Sequence, residues 1–478
     1  MSSVLRQACR HTFSGIWLLL MLGGCAVGPE YSPPGTDLPA SWSESQQPSG
    51  EMQREMLADW WRLFEDPVLD KLIDTAIVTN PDRDLALARI REARERFRIS
   101  RATMLPNLSG SGTTSVLEST GPTGDTDWLE LYDVALDASW ELDIFGGSRR
   151  SVEAAGATIE ARHADYVDVM TSLVAEVALT YVNLRTLEAR LEITQSNVAV
   201  QEQTFALVQW RTEAGLTTAL DVAQAAANLA TTRAQVPLLE RDVAQSRNKL
   251  GFLTGEASAD IDSILGMATT IPVTRESVAI GVPSDTVRQR GDIRSAERNL
   301  AVQSARVGIA TANLYPSFRL VGFIGRSASD LSGLTERTAQ TTNLAASVTA
   351  PIFNAGQLRA NVAVEDALYA QALASLEKTV LNALREVEDA LAAQTAANER
   401  TAYLHLAVRE AERANVFASQ EYKAGLTDFS RVLDTQRTLL TAQEQLVLNQ
   451  SAESTATIQL YKAVGGGWDA AEVPPSER

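Results

Sequence analysis

The longest uninterrupted pattern of hydrophobic and polar positions along the chain is helical. Residues 357–424 contain neither glycine nor proline. A helix of this length would extend about 100 Å at 1.5 Å per residue. A second helical pattern follows Gly425 and predicts a hairpin whose turn lies at about residues 422–429. Its coiled-coil seam advances by three and four residues and consists of Leu373, Leu376, Val380, Leu384, Val387 and Leu391.

The same turn occurs earlier in the chain. Ala-Gly-Leu-Thr is found at 214–217 and again at 424–427, and helical patterns flank both copies. A second hairpin is therefore predicted, with its turn at about residues 212–219. Gly215 and Gly425 suit the left-handed position that ends a helix. The candidate caps of the following helices are Thr217 or Thr218 in the first copy and Thr427 or Asp428 in the second.

Similarity between the two copies extends outward from the turns. Residues 82–107 resemble 292–317, and residues 141–155 resemble 349–363. The chain is interpreted as a tandem duplication. It comprises a first repeat at 61–254, a bridge at 255–285, a second repeat at 286–468 and a disordered tail at 469–478.

Each repeat also contains two stretches with strand periodicity. In residues 134–142, apolar side chains alternate with Ala135, Asp137, Ser139 and Glu141. Strands of about ten residues match the tilted span of an outer-membrane barrel, but four strands cannot close one. A membrane location therefore requires an oligomer. A soluble sheet with its apolar face packed on the helices gives the same alternation. The four strands are predicted at about 107–117, 133–143, 317–326 and 343–352.

The first residues form a secretory signal. Arg6 and Arg10 precede an apolar run, 16–22, that is too short to span a bilayer as a helix. Leu22-Gly23-Gly24-Cys25 resembles a lipobox, so residues 1–24 are predicted as a lipoprotein signal peptide and Cys25 as the lipidated residue. Ordinary cleavage that leaves a free thiol is the alternative.

Lipidation would give the mature chain a membrane anchor. Acyl chains on Cys25, including palmitate, would hold an extended segment at 25–60 to the membrane. Ala26 is not the aspartate that retains lipoproteins at the inner membrane, so the outer membrane is expected. Cys9 leaves with the signal, and no disulfide is expected.

Charge and chemistry narrow the function classes. The formal net charge is −18 with mixed signs along the chain, which argues against nucleic acid as a partner. His163 and His405 stand singly, and no constellation of catalytic residues is present. No enzyme activity, metal or cofactor is expected.

Several segments together carry a family resemblance: DWWRLFEDPVLDKLIDTAIVTNPD at 59–82, VPSDTVRQRGDIRSAE at 282–297, VLDTQRTLLTAQ at 432–443 and LYKAVGGGW at 460–468. They resemble the TolC-like and OprM-like outer membrane factors, in the lipoprotein branch (NodT-like) that serves resistance-nodulation-division pumps. The resemblance implies a mainly α fold with a membrane β-barrel, in which three protomers contribute four strands each. Long helical hairpins would form a periplasmic α-helical barrel below it.

The resemblance also implies partners and a mechanism. The protein would be a homotrimer in outer membrane lipids, and it would act as a passive conduit for a periplasmic adaptor and an inner-membrane efflux pump. Gln436, Gln443 and Gln450 suit a helical wall that faces water. The hairpin tips expected to bind the adaptor comprise Gly215, Leu216, Thr217, Gly425, Leu426 and Thr427.

A periplasmic gate is expected just beyond the turns. Asp434 matches one gating aspartate of the family, whereas Arg431 and Ser430 replace a second aspartate and a leucine. The alternative is an ion pair between Arg431 and Asp434 along one helix. A contact between Asp221 and Arg431 of neighbouring hairpins is a further hypothesis. Gly291 replaces a proline of the family and is expected to loosen the start of a helix.

Two other functions remain open at this point. A type I protein secretion channel would use the same kind of tunnel. A periplasmic coiled-coil scaffold lipoprotein would have no pore, so conductance in planar bilayers separates it from both channels.

Overall fold

The computed structural model describes residues 26–35, 38–39, 41–43, 57–120, 126–266, 270–274, 283–284, 289–336 and 340–468. The signal peptide, Cys25 and the tail at 469–478 lie outside the described residues. Parts of the segment at 25–60 and of the bridge at 255–285 also lie outside them.

Helices make up most of the described chain. The longest, α7 (Gln357–Ala424), contains 68 residues and coincides with the predicted stretch that lacks glycine and proline, which confirms that prediction. A helix of 67 residues, α3 (Gly147–Glu213), occupies the corresponding place in the first repeat. The helices are α1 (Pro67–Thr79), α2 (Pro81–Ala102), α3 (Gly147–Glu213), α4 (Ala219–Thr254), α5 (Ser258–Leu265), α6 (Gly291–Ala312), α7 (Gln357–Ala424) and α8 (Phe429–Ala463).

Four strands form one antiparallel sheet in the order β1-β2-β3-β4. The register places Leu136 between Gly110 and Ile324, and Leu320 beside Ala346. The β1–β2 ladder continues to Thr120 and Thr126, so β2 begins earlier than its alternation indicates. The strands are β1 (Asn107–Thr120), β2 (Thr126–Leu142), β3 (Ser317–Ala328) and β4 (Gln340–Thr349).

The chain divides into two compact units, and both sequence repeats contribute to each of them. The first unit comprises the described residues of Met1–Gly35, Arg89–His163 and Ser295–Glu377. It contains the sheet. The second comprises those of Thr36–Ala88, Ala164–Arg294 and Lys378–Arg478, and it contains both hairpin turns.

The second unit has an aromatic and ionic core. Trp60 is fully buried and stacks on Tyr461, with ring centroids 5.4 Å apart. Asp66 caps α1 by accepting hydrogen bonds from the amides of residues 68 and 69, and it also accepts one from the Tyr181 hydroxyl at 2.7 Å. Arg185 is 1% exposed and donates to the Leu265 carbonyl at 2.8 Å. This network joins α1, α3 and α5.

Gly291 is not a loosened helix start. It is the first residue of α6, and a Cβ at this position would lie 2.7 Å from the Ala164 carbonyl oxygen and 2.7 Å from the Asp168 amide nitrogen. The preceding Arg290 is 8% exposed and forms ion pairs with Asp292 and Glu386, each at 2.8 Å. The expectation of a loose start was therefore wrong, because glycine permits close backbone packing here.

Candidate functional site

One face of the sheet is apolar and open. Leu108 is 70% exposed, Leu136 is 52% exposed and Leu344 is 84% exposed. In the register these side chains lie on the same face as Leu320 and Ile324. Burying a leucine side chain stabilises a protein by about 1.5–3 kcal/mol, so such a face needs an apolar covering. The alternative in which this face packs on the helices of the same chain is wrong.

The opposite face is polar along most of β2. Asp133, Asp137 and Glu141 alternate with the apolar positions, and Ser111 donates a hydrogen bond to Asp137 at 2.9 Å. Arg319 of β3 lies opposite Glu141. One face of the sheet thus suits lipid, and the other suits water and ions.

The chain that follows Cys25 is attached beside the end of β2. The Val27 amide donates to the Phe145 carbonyl at 3.0 Å, and Arg150 donates to the carbonyls of Val27 and Gly28, each at 3.4 Å. Gly28 has a φ of 94°, and a Cβ there would lie 2.5 Å from the Cα of Gly308. The close approach requires glycine at this point.

Both hairpin turns have the same backbone geometry. Gly215 has a φ of 71° and Gly425 a φ of 76°. The Leu216 amide donates to the Arg211 carbonyl at 2.8 Å, and the Leu426 amide donates to the Glu421 carbonyl at 2.9 Å. These are the bonds of a Schellman motif, in which a left-handed residue ends the helix. Both leucines are exposed, Leu216 by 66% and Leu426 by 79%.

The two turns differ in how the next helix begins. Thr218 caps α4 and forms a capping box with Asp221. Thr217 also donates a hydrogen bond to Asp221, and every hydrogen bond that the Asp221 carboxylate accepts in this turn ends on its Oδ2 atom. Burial raises the pKa of Asp221, but the bonds from Thr217 and Thr218 outweigh it and lower the pKa overall. Asp428 caps α8 without a side-chain hydrogen bond.

The predicted gate residues of the second hairpin lie on its surface. Ser430, Arg431 and Asp434 are all exposed on the first turns of α8. Among the described residues, no ion pair joins Arg431 to Asp434, and the ion pair along one helix stays a prediction. The Asp221 carboxylate accepts hydrogen bonds from Thr217 and Thr218 of its own turn. The structure therefore leaves the Asp434 carboxylate accessible.

A hydrophobic cluster joins the two hairpins behind the turns. It consists of Val208, Ala225, Ala418, Tyr422, Phe429, Val432 and Leu433. The Arg211 guanidinium lies 4.8 Å from the Tyr422 ring centroid and donates to the Lys423 carbonyl at 3.1 Å. The AGLT pattern does not indicate this contact, because Arg211, Tyr422 and Lys423 all precede the turns.

The glutamines of α8 do not all face water as expected. Gln436 is 4% exposed and donates to the Thr204 hydroxyl of α3 at 3.1 Å. Seven residues further along, Gln443 is half-buried and accepts a hydrogen bond from Asn197 at 3.4 Å. The heptad spacing of these glutamines was therefore a signal for helix pairing between the two repeats.

Other chemistry is limited in the described part of the chain. No group of three or more His, Cys, Asp or Glu side chains there could hold a metal ion. One helix, α3, has a segment long and apolar enough to cross a membrane, but 67% of that segment is buried in the protein, as in a core helix.

These features define an outer membrane channel protein. A family model described as outer membrane efflux protein matches residues 72–256 and again residues 282–466. The chain belongs to this family and is an outer membrane component of an efflux system.

Relatives and solved structures match almost the whole chain. The solvent efflux pump outer membrane protein SrpC of Pseudomonas putida is 33% identical over 471 residues, which cover 96% of this chain and 98% of SrpC. The pyoverdine export outer membrane protein OpmQ of Pseudomonas aeruginosa is 31% identical, over 94% and 95% of the two chains. The solved structure of the outer-membrane channel OprN is 32% identical with a TM-score of 0.87, covering 93% of this chain and 100% of that one.

Proposed function

We propose that three copies of this chain form one conduit that carries small molecules out of the cell. A periplasmic adaptor and an energised inner-membrane pump would supply the cargo. The observation that carries the proposal is the sheet, which combines an exposed apolar face with a polar opposite face and two free edges.

The free edges explain the need for several copies. Strands β1 and β4 each pair on one side only. Unpaired backbone groups are not tolerated in lipid, so the edges must join strands of other copies. Three sheets of four strands exceed the minimum of about eight strands for a closed membrane barrel. The trimer itself is the assembly that the family resemblance implies.

Small molecules are the favoured cargo. SrpC is named for solvent efflux and OpmQ for pyoverdine export, and both match more than nine-tenths of this chain. These names favour an efflux channel over a type I protein secretion channel. The channel would be passive, because it needs no site for chemistry or fuel.

We also propose that Cys25 carries the lipid anchor in the outer membrane. The support is the attachment of Val27 and Gly28 beside Phe145, close to the end of β2. A lipid two residues before Val27 would lie next to the membrane-facing sheet. The anchor and the sheet would then act on the same membrane surface.

The adaptor would bind the tips. They consist of the exposed Gly215, Leu216, Gly425 and Leu426 and of the half-buried Thr217 and Thr427. Asp434 would form an acidic ring around the closed pore. The Oδ1 atom of Asp221 takes no part in its capping bonds, so it could accept a hydrogen bond from Arg431 of a neighbouring hairpin. That contact would hold the gate closed.

Purified full-length protein in planar bilayers tests the proposal. Discrete conductance steps are expected, whereas a scaffold without a pore would give none. Arg431→Ser should raise the open probability and the leak of antibiotics into cells, because the gate loses its cation. Arg413→Ser is the control, since Arg413 pairs with Glu410 on its own helix. Unchanged conductance and leak in Arg431→Ser would refute the tip lock while leaving the channel itself intact.

A further inference from the structure

The polar face of β2 becomes apolar near the β1–β2 turn. From Glu141 to Asp133, the positions on this face are mostly polar. The next two positions on the same face are Leu131 and Leu129, and Leu117 of β1 lies directly opposite Leu129. The β1–β2 pairing is continuous from Asn107 to Thr120, so no bulge moves these leucines to the other face.

The lipid-facing side changes in the opposite sense at the same level. After Val134, the positions of β2 on this face are Tyr132 and Glu130, joined by a hydrogen bond of 3.2 Å, and then Trp128. Arg326 of β3 lies beside Val134 on this face. Charged groups replace apolar ones where a strand leaves the hydrocarbon layer. Aromatic girdles likewise mark the edge of the membrane, so the leucines lie at that edge, on the side that faces the channel.

The β1–β2 hairpin also extends past its neighbour. Pairing between β2 and β3 ends at Tyr132 and Ala328, whereas β1 and β2 stay paired as far as Thr120 and Thr126. Six further residues of strand extend about 20 Å at 3.3 Å per residue. No third strand of the described chain pairs with this part of the hairpin, which lets it lean towards the channel axis.

In the single chain, Leu117 and Leu129 are exposed and Leu131 is half-buried. Leu117 is 53% exposed and Leu129 is 52% exposed. If they face a water-filled channel, leaning inward removes them from water against the same leucines of the other copies. An apolar constriction of this kind blocks water and ions by dewetting.

We propose that Leu117, Leu129 and Leu131 of three copies meet over the extracellular mouth and form a second barrier of the channel. This leucine collar rests on the proposed trimeric channel. It closes the mouth when no cargo passes, and it opens when the hairpins are pushed apart. Its occupants are the leucines of the other copies and no other protein.

Disulfide formation between copies tests the collar. Cys9 is expected to leave with the signal and Cys25 to be acylated, so Leu129→Cys introduces the sole free thiol of the mature chain. A disulfide needs Cα atoms about 4.4–6.8 Å apart. Air oxidation with copper–phenanthroline in the intact outer membrane should link Leu129→Cys chains into dimers. The matched control is Trp128→Cys, whose side chain is 65% exposed on the opposite face and should give no dimers.

The functional readout is dye efflux from native cells that carry Leu129→Cys. Efflux should stop on oxidation and resume when a reductant is added, and Trp128→Cys cells should export throughout. Glutaraldehyde cross-linking of the wild-type protein separates the two proposals. Absence of trimers would refute the proposed function. Trimers without Leu129→Cys dimers, or dimers without loss of efflux, would overturn the collar.

Discussion

At the scale of single residues, small side chains determine where the backbone can approach itself. Gly291 allows α6 to start against α3, and Gly28 allows the N-terminal segment to cross Gly308. In both places a Cβ would lie under 3 Å from backbone atoms. Neither role was visible in the sequence, because it depends on a partner more than a hundred positions away.

Asp168 is a partly buried carboxylic acid at the contact with Gly291. Burial raises its pKa to about 6, and nearby Asp292 adds to the effect, while Arg290 and Lys462 oppose it. Asp165 on the same helix also raises the pKa. The folded protein therefore binds a proton here more tightly than the unfolded chain does.

The raised pKa of Asp168 determines how the stability of the protein depends on pH. Between the usual 3.8 and about 6, the folded state holds the extra proton, so the contribution of Asp168 to stability falls as pH rises. Asp168→Asn should be more stable than wild type at pH 7.5, by on the order of 2 kcal/mol, and lose this advantage near pH 4. Thermal unfolding of both proteins across this range checks the prediction. A constant difference at every pH would contradict it.

At the scale of elements, a polar ladder sets how α3 and α8 pair. Gln436 meets Thr204 and Gln443 meets Asn197, so a step of seven along α8 matches a step of seven back along α3. Arg190 and Glu444 continue the contact with an ion pair at 3.6 Å. The pairing joins the two repeats in one register.

Removing one partner of this ladder should lower the free energy of unfolding more than removing both partners. Thr204→Ala leaves the buried Gln436 amide without its acceptor, and we expect a loss of about 1–3 kcal/mol in the free energy of unfolding. Thr204→Ala combined with Gln436→Leu should recover most of it. Chemical denaturation of the single and double variants measures the coupling. Thr231→Ala is the control, because the Thr231 hydroxyl is exposed and donates its hydrogen bond within α4. An equal loss of unfolding free energy in Thr231→Ala would argue against the ladder.

Elements were predictable where their cause is local. The absence of glycine and proline gave the bounds of α7, and the AGLT turns gave the two Schellman motifs. The capping box of Thr218 and Asp221 is also local, and the sequence indicated its threonine. The early start of β2 was not predictable from its own alternation, because it depends on pairing with β1.

At the scale of the whole molecule, the carboxylates of β2 should determine ion selectivity. Asp133, Asp137 and Glu141 lie on the face opposite the apolar one, and three copies would line the channel with nine carboxylates in total. Asp137→Asn should lower the permeability of potassium relative to chloride, because fewer fixed anions face the lumen.

The reversal potential in a potassium chloride gradient measures this selectivity. Glu130→Gln provides the control, because this substitution also removes one carboxylate, but from the face that points away from the channel. Equal shifts in the two variants would show that net charge, and not the lumen face, sets the selectivity.

The sequence by itself determined the features that repeat at short range. Helical and strand periods, the duplicated turns and the resemblance to outer membrane factors were all present in the order of residues, and the family match confirms that resemblance. The tertiary structure decided the rest. It showed that the apolar sheet face is open and that Gln436 faces the other repeat. The physical reason is that burial and pairing depend on residues distant in sequence, whose packing no local pattern specifies.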